Sequence, residues 1–149
     1  MGYEEAAGKG KQAVLEVLGF RYKEILYGIE FKYIEEVCFG LHSNPTPFLP
    51  EYYSGLVNYK GNILPSVRME KESEDGHISV ILHCGIYEFA LMLPEEPVIY
   101  SLSEEERIEG ESGKNIDPFW AAKRLYRKGK DLICIMDMEK ICENLVIYK

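Results

Sequence analysis

Several features that would point to a specific chemistry are scarce in this 149-residue sequence. It has three histidines and four cysteines, without a Cys-x-x-Cys pair or a repeated short spacing, so a structural zinc site is not expected. Basic residues are also in the minority, with 17 Lys and Arg against 25 Asp and Glu. The net charge of −8 disfavours general binding to nucleic acid or anionic membranes, because like charges repel.

Long apolar runs are absent as well. The most apolar stretch, Val80 to Leu93, is interrupted by His83 and Glu88 and is too short to cross a membrane as a helix. Residues 1–12 are polar and Gly-rich and lack the apolar core of a signal peptide, so we expect a flexible leader. Residues 13–149 are the predicted folded domain, since 46% apolar and 28% charged residues are typical of globular chains.

Isolated thiols without a pairing pattern are typical of reduced, buried cysteines, which favours the cytoplasm as the location of this protein. The four residues concerned are Cys38, Cys84, Cys134 and Cys142.

Catalytic motifs are weak. The segment from Gly110 to Asn115 fails the spacing of a phosphate-binding loop, and no G-x-S-x-G frame is present. Cys84 and His83 are neighbours on a predicted strand and would point to opposite faces. Ser103 and Glu106 fit a capping box better than an acid–base pair. The residues therefore predict neither an enzyme nor a bound cofactor.

The polar and apolar residues alternate with a period of two over much of the chain, which predicts β-strands. Short polar or Gly-containing turns join them into four hairpins, 17–22 with 25–31, 56–59 with 63–67, 78–84 with 86–93, and 119–125 with 132–136. Residues 137–145 instead carry apolar residues at helical spacing, with Asp137 as a plausible N-cap. An all-β chain with one short C-terminal helix is expected.

The sequence also contains an internal repeat. Residues 60–71 match residues 128–140 when Asp131 is treated as an insertion, and residues 27–29 correspond to 89–91. Two similar subdomains of about five strands each are therefore predicted, and small barrels would protect the edges of such short sheets. Two aromatic residues precede the second hairpin of each half, and they belong either to the core or to a binding surface. They are Tyr52 and Tyr53 in the first half and Phe119 and Trp120 in the second.

One segment is more specific. Residues 50–65, PEYYSGLVNYKGNILP, resemble the signature P-x-x-x-x-G-[VIL]-[IVT]-N-L-R-G-x-[IV]-[VIL]-P of the CheW-like domain. Residues 18–29 resemble the opening hairpin of that family, 34–37 its V-x-E-I element, and 132–141 its closing strand and helix. In this order and spacing the resemblance covers about residues 14 to 145.

The resemblance implies two interlocked, five-stranded, SH3-like β-barrels without catalytic activity. It also implies a bacterial chemotaxis adaptor in a two-component signalling system. Such an adaptor links the cytoplasmic tips of chemoreceptors to the regulatory domain of a CheA-type histidine kinase. The partners implied are therefore this kinase and these receptors, with neither nucleic acid nor insertion into the membrane.

The partner-binding residues that the resemblance implies lie in the first barrel and in the turn of the signature segment; they are Ile34, Glu36, Gly55, Asn58, Lys60 and Gly61. Lys60 stands where the family usually has Arg, which replaces a planar bidentate donor with a point charge. This departure indicates a divergent member of the family. The alternative is an unrelated enzyme or small-ligand protein, with a cleft between the barrels lined by tyrosines and His83.

Overall fold

The computed structural model describes residues 14–47, 52–69, 78–109 and 117–145. The predicted leader and the segment over residues 110–115 lie outside this part of the chain. The described residues form eleven strands and one helix: β1 Val14–Tyr22, β2 Ile25–Glu30, β3 Ile34–Phe39, β4 Tyr53–Tyr59, β5 Asn62–Arg68, β6 Ile78–Cys84, β7 Tyr87–Met92, β8 Val98–Ser103, β9 Arg107–Ile108, β10 Ala122–Lys128, β11 Asp131–Met136 and α1 Met138–Leu145. The prediction of a β-rich chain with a short C-terminal helix is confirmed.

The strands form two sheets. One has five strands in the order β3-β6-β7-β5-β4, and the other has six in the order β8-β1-β2-β11-β10-β9. The sixth strand is the two-residue β9, which pairs with β10 through Ile108 and Arg107. The remaining ten strands divide five and five, as the repeat predicts.

The two sheets interlock because each contains strands from both halves of the repeat. Hairpin β1–β2 joins hairpin β10–β11 through a parallel β2–β11 ladder, in which Gly28 lies opposite Ile135. Hairpin β6–β7 joins hairpin β4–β5 in the same way, with Ala90 opposite Ser66. Strand β3 pairs with β6, and β8 pairs with β1. Each half therefore completes the sheet of the other half.

The strand register corrects one detail of the predicted repeat. Tyr59 lies opposite Asn62 in β4–β5, and Lys128 lies opposite Asp131 in β10–β11. Both turns thus contain two residues, and Asp131 is not an insertion. In sequence, Lys60-Gly61 matches Lys128-Gly129. In the fold, Tyr59 and Lys128 occupy the same position, the last residue before each turn, so the two Lys-Gly pairs are offset by one residue.

Two predicted strands are shorter in the structure, because a 3₁₀ turn replaces the end of one and the start of the other. Phe31 was assigned to a strand by its alternation, but residues 31–33 form one turn of 3₁₀ helix after β2. Phe119 lies in a second 3₁₀ turn, Pro118–Trp120, before β10. Here Pro118 occupies the first position and Asp117 Oδ1 accepts from the amide of Phe119 at 2.9 Å, so local capping outweighs the strand pattern.

The turn between β1 and β2 is unusual because neither of its residues is glycine. Lys23 and Glu24 have φ values of 53° and 66°, in the left-handed region that costs a residue with a Cβ about 1 kcal/mol. Such two-residue turns match the twist of a hairpin, which explains why the conformation is adopted.

The largest buried cluster lies between the two sheets and α1. The helix contributes its apolar face, formed by Met138, Ile141, Cys142 and Leu145. The predicted N-cap is confirmed, because Asp137 Oδ1 accepts from the amide of Lys140 at 3.2 Å. Two smaller clusters fill the sheet interiors; the one in the five-stranded sheet comprises Val57, Tyr59, Leu64, Ile81, Ala90 and Met92.

A buried ionic group ties β2 to β10. Glu30, only 4% exposed, ends β2. Its two carboxylate oxygens lie 2.9 Å from Lys123 Nζ and 2.9 Å from Arg124 Nη2. Because β2 and β10 are separated by β11 in the sheet, this contact spans three strands of the six-stranded sheet.

Candidate functional site

Glu36 lies at the point where the two edges of the five-stranded sheet meet. Strands β3 and β4 are the opposite edges of this sheet. Nevertheless, the hydroxyl of Tyr59 at the end of β4 donates to Glu36 Oε1 on β3 at 2.5 Å. Lys60 Nζ lies 3.2 Å from the same oxygen. The sheet therefore curls until its edges are joined by side chains, which makes it a barrel. We call Glu36, Tyr59 and Lys60 the Glu36 cluster.

The contacts within the Glu36 cluster fix its charge. The hydrogen bond from Tyr59, followed by the contact with Lys60, lowers the pKa of Glu36. The same hydrogen bond, helped by burial, raises the pKa of the Tyr59 hydroxyl. Around neutral pH, the cluster therefore presents an ionised carboxylate, a neutral phenol and a cation. The side chains of Lys60 and Glu36 are 69% and 41% exposed, so another protein can reach both.

The turn between β4 and β5 determines where Lys60 points. Lys60 and Gly61 have φ values of 51° and 86°, as expected for a tight two-residue hairpin turn. Asn58 Oδ1 accepts from the amide of Gly61 at 3.0 Å and braces this turn. Lys60 Nζ lies 5.3 Å from the centre of the Tyr59 ring. Asn58 and Gly61 thus shape the turn, and Lys60 is the member that presents charge.

Gly55 has a packing role in the structure. It is buried in β4 with a φ of 153°, and a Cβ there would collide with the carbonyl group of Asn44, whose carbon would lie at 2.7 Å. Asn44 forms a two-bond bridge with Leu56, with N–O distances of 2.7 and 2.9 Å. Gly55 therefore allows the loop after β3 to pack directly on β4.

Three buried serines hold the same region together, and sequence reasoning missed them. The hydroxyl of Ser66 lies 2.6 Å from that of Ser43 and 2.7 Å from that of Ser54. The hydroxyls of Ser43 and Ser54 are 3.3 Å apart. These residues come from a loop and two strands, so no local pattern could have signalled their contact.

Ile34 does not join the Glu36 cluster. An irregularity in the β3–β6 ladder at residue 35 places Ile34 opposite Leu82 and Glu36 opposite Ile81. Leu82 belongs to the large cluster between the sheets, whereas Ile81 lies inside the five-stranded barrel. Ile34 and Glu36 consequently face opposite sides of β3, although residues two apart on a regular strand share a face.

In the six-stranded sheet, a side chain at the position equivalent to Tyr59 likewise contacts an edge strand. Lys128, which occupies the register position of Tyr59, donates from Nζ to the carbonyl of Ser101 on edge strand β8 at 2.8 Å. It also lies 3.3 Å from Glu106 Oε2. The predicted capping interaction is present, because the amide of Ser103 donates to Glu106 at 2.9 Å and lowers its pKa, with help from Lys128. Both barrels are thus closed by the last residue before a hairpin turn.

Three of the four aromatic residues that precede the second hairpin of each half contact one another. Tyr52 stacks on Phe119 with ring centres 3.9 Å apart, and Trp120 packs against both edge-on. Trp120 is 1% exposed and its indole N–H donates to the carbonyl of Met69 at 3.2 Å. These residues therefore connect the halves of the repeat and belong mainly to the core.

The alternative of a catalytic cleft gains little from the geometry. His83 is exposed near the end of β6, so it is neither a core residue nor part of an enclosed pocket, and His42 is exposed in the loop after β3. Among the described residues, no group of three or more His, Cys, Asp and Glu side chains is arranged to hold a metal ion.

The helix that the described ranges contain is too short and too polar to cross a membrane. A small cavity between α1 and the five-stranded sheet is lined by Tyr53, Pro65, Tyr87, Glu88, Phe89, Cys142 and Leu145.

Comparison with known proteins identifies the fold. The chain is similar to the crystal structure of the scaffolding protein TtCheW from Thermoanaerobacter tengcongensis, with a TM-score of 0.72 and 16% sequence identity. The likeness covers 84% of this chain and 90% of that chain. No protein-family model and no curated protein matches the sequence. The chain therefore has the CheW-like fold that the resemblance of its sequence implies.

Proposed function

We propose that this protein is a non-catalytic chemotaxis adaptor in the bacterial cytoplasm. Its partners in this proposal are the regulatory domain of a CheA-type histidine kinase and the cytoplasmic tip of a chemoreceptor. The observation that carries the proposal is the structural likeness to a scaffolding protein, which extends over nearly all of that protein. The resemblance of residues 50–65 to the CheW-like signature supports it independently.

The Glu36 cluster is the surface that we propose for the kinase. Its carboxylate is ionised and its lysine is exposed, and both are held by the rigid junction of β3 and β4. Charges at the rim of an interface choose the partner and steer its approach more than they raise affinity. Lys60 offers a single cation rather than the bidentate fork of an arginine, so this site favours a partner carboxylate that needs only one donor.

The remaining residues implied by the resemblance have structural roles. Asn58 and Gly61 set the conformation of the turn, and Gly55 sets the packing beneath it. Ile34 contacts the large core and is half-buried, so we expect it to support the barrel rather than to dominate the contact with the kinase.

The test is titration calorimetry of the full chain with the regulatory domain of the CheA-type kinase from the same cell, and separately with a receptor-tip fragment. Glu36→Ala and Lys60→Ala are the site variants. Glu143→Ala and Lys140→Ala on the surface of α1 remove the same charges elsewhere and serve as matched controls. We expect saturable binding to the kinase domain, weakened about tenfold by Glu36→Ala and unchanged by either control.

Two results would count against the proposal. A flat titration against both partners at high micromolar concentration, in low and in physiological salt, would remove the adaptor function. Binding that Glu36→Ala, Lys60→Ala and the α1 controls leave equally unchanged would keep the adaptor and move the interface away from the Glu36 cluster.

A further inference from the structure

An exposed apolar surface lies on the outer wall of the five-stranded barrel, next to the turn that carries Lys60. Ile63 on β5 is 60% exposed, and Ile86 and Tyr87 in the β6–β7 hairpin are 89% and 42% exposed. The parallel β5–β7 register places Ile63 level with Tyr87. Pro65, on the same face of β5 as Ile63, lines the small cavity together with Tyr87. We call Ile63, Pro65, Ile86 and Tyr87 the Ile86 surface.

The cavity beside the Ile86 surface has fixed walls. It has a volume of about 60 Å³ and lies between α1 and strands β5 and β7. Leu145, at the end of α1, forms one wall, and the Tyr53 hydroxyl on β4 donates to its carbonyl at 2.8 Å. Leu145 also belongs to the large buried cluster. A group that enters the cavity therefore meets walls already in position, which lowers the entropic cost of binding.

The size and the lining of the cavity favour an aliphatic side chain. Pro65, Phe89 and Leu145 contribute apolar walls. A dry apolar cavity of about 150 Å³ admits benzene, so a cavity of about 60 Å³ is too small for the ring of a Phe or Trp side chain. The methyl or methylene groups at the end of a Leu, Ile, Val or Met side chain are small enough to enter.

The charges around the Ile86 surface favour a basic residue beside that aliphatic side chain. Glu88 lines the cavity, and the β3–β6 and β6–β7 ladders place Glu35 and Glu36 at the same end of the barrel. The basic side chains in this described group are Lys60, 3.2 Å from Glu36, and His83, opposite Glu88. Carboxylates therefore outnumber cations here, and a cation on the partner is attracted to this surface.

A second copy of this chain does not fit the Ile86 surface. A symmetric pair that met through this surface would bring Glu88 and its neighbouring carboxylates close to those of the other copy. Each chain also has a net charge of −8. Because like charges oppose association, the contiguous apolar residues indicate contact with a different protein.

We propose that the Ile86 surface is the apolar centre of the interface of which the Glu36 cluster is the charged rim. The two are contiguous, because Ile63 and Lys60 lie on the same β4–β5 hairpin. The partner is an element of the kinase regulatory domain in which an aliphatic side chain, inserted into the cavity, lies beside a lysine or arginine. The inference rests on the proposed function and assigns the source of affinity for the same contact, since a few central side chains carry most of the binding energy of an interface.

The two parts of such an interface differ in their kinetics, which provides the test. Loss of an apolar central contact speeds dissociation, whereas loss of a rim charge slows association and does so mainly at low salt. Surface plasmon resonance of the full chain on the immobilised kinase regulatory domain measures both rates. Ile63→Ser and Ile86→Ser are the site variants, and Val98→Ser, at a position 55% exposed on the six-stranded sheet, is the matched control.

We expect each site variant to raise the dissociation rate about tenfold or more, at low and at physiological salt, with little change in the association rate. Glu36→Ala should instead lower the association rate, and Val98→Ser should change neither rate. Because the replaced side chains are exposed, the melting temperatures of the variants should match that of the unmodified chain.

Isotope-filtered NMR on the same complex identifies the group that enters the cavity. Methyl protons of the kinase domain should show nuclear Overhauser effects to the ring of Tyr87 and to Leu145. Aromatic protons of the kinase domain in that place would overturn the aliphatic assignment.

Three further results would overturn the inference while the adaptor function stands. They are rates that both site variants leave as unchanged as the control does, loss of binding to the receptor tip alone, and a concentration-dependent dimer that Ile86→Ser abolishes. The last two would assign the Ile86 surface to the receptor and to a second copy, respectively. A flat response of the unmodified chain to the kinase domain would reject the proposed kinase contact itself, and the inference with it.

Discussion

Replacing Gly55 by alanine tests whether the close packing under the signature turn is structural. The added methyl group would collide with the carbonyl group of Asn44 and also meet Ser43 Oγ at 2.9 Å. The loop after β3 must then move away, which breaks the two Asn44–Leu56 hydrogen bonds, each contributing about 1 kcal/mol. The φ of 153° adds about 1 kcal/mol of backbone strain for a residue with a Cβ. We expect the free energy of unfolding to fall by about 3 kcal/mol.

Gly40→Ala is the matched control for this substitution. Gly40 also has a positive φ, at 75°, but an added methyl group meets nothing within 4 Å. It should therefore cost only the backbone strain of about 1 kcal/mol. Urea unfolding of both variants measures the difference, which should be about 2 kcal/mol in favour of Gly40→Ala, or roughly 4–8 °C in melting temperature. Equal losses in the two variants would refute the packing argument.

Three further predictions concern charges and turn geometry. Glu30→Ala leaves the half-buried cations of Lys123 and Arg124 without their carboxylate and should cost about 3 kcal/mol in urea unfolding; a loss under 1 kcal/mol would contradict the buried ionic group. Glu36 should titrate in carbon-detected NMR below the ordinary range of glutamate, and Tyr59→Phe should raise that midpoint, since the Tyr59 hydrogen bond is the largest cause of the lowered pKa. Because the folded pKa is depressed, the stabilisation from Glu36 is present at neutral pH and disappears as the pH falls through the folded value; an unchanged midpoint in Tyr59→Phe would reject this origin. Glu24→Gly should stabilise the chain by about 0.5–1 kcal/mol by relieving the left-handed turn, and a loss of stability would show that the turn is not strained.

The residue pattern was sufficient for most of the local elements, although it did not predict β8. Alternation and turn residues located the hairpins, and Asp137 located the start of α1, because these signals depend on neighbours within a few positions. Where local capping by Asp117 competed with alternation, the strand predicted from residue 119 began too early. The repeat correctly indicated two sheets with ten equivalent strands, but the Lys-Gly match misplaced the register by one residue.

The candidate site was only partly predictable. The resemblance of the sequence to a family singled out Glu36, Asn58, Lys60 and Gly61. The hydroxyl that contacts Glu36 belongs instead to Tyr59, which that resemblance did not single out. The irregularity at residue 35 separates Ile34 from Glu36, and the three serines meet from distant segments. None of these contacts leaves a periodic trace in the sequence.

The residue pattern alone was enough to predict most of the strands, their apolar faces and the turns that join them. Tertiary structure alone decided that β2 pairs with β11 and β7 with β5, so that each half completes the other. The physical reason is that alternation specifies the face of a strand, whereas every strand offers the same backbone donors and acceptors to any neighbour. The choice of neighbour is made only when buried residues such as Gly28, Ala90 and Ile135 fit together across the whole core.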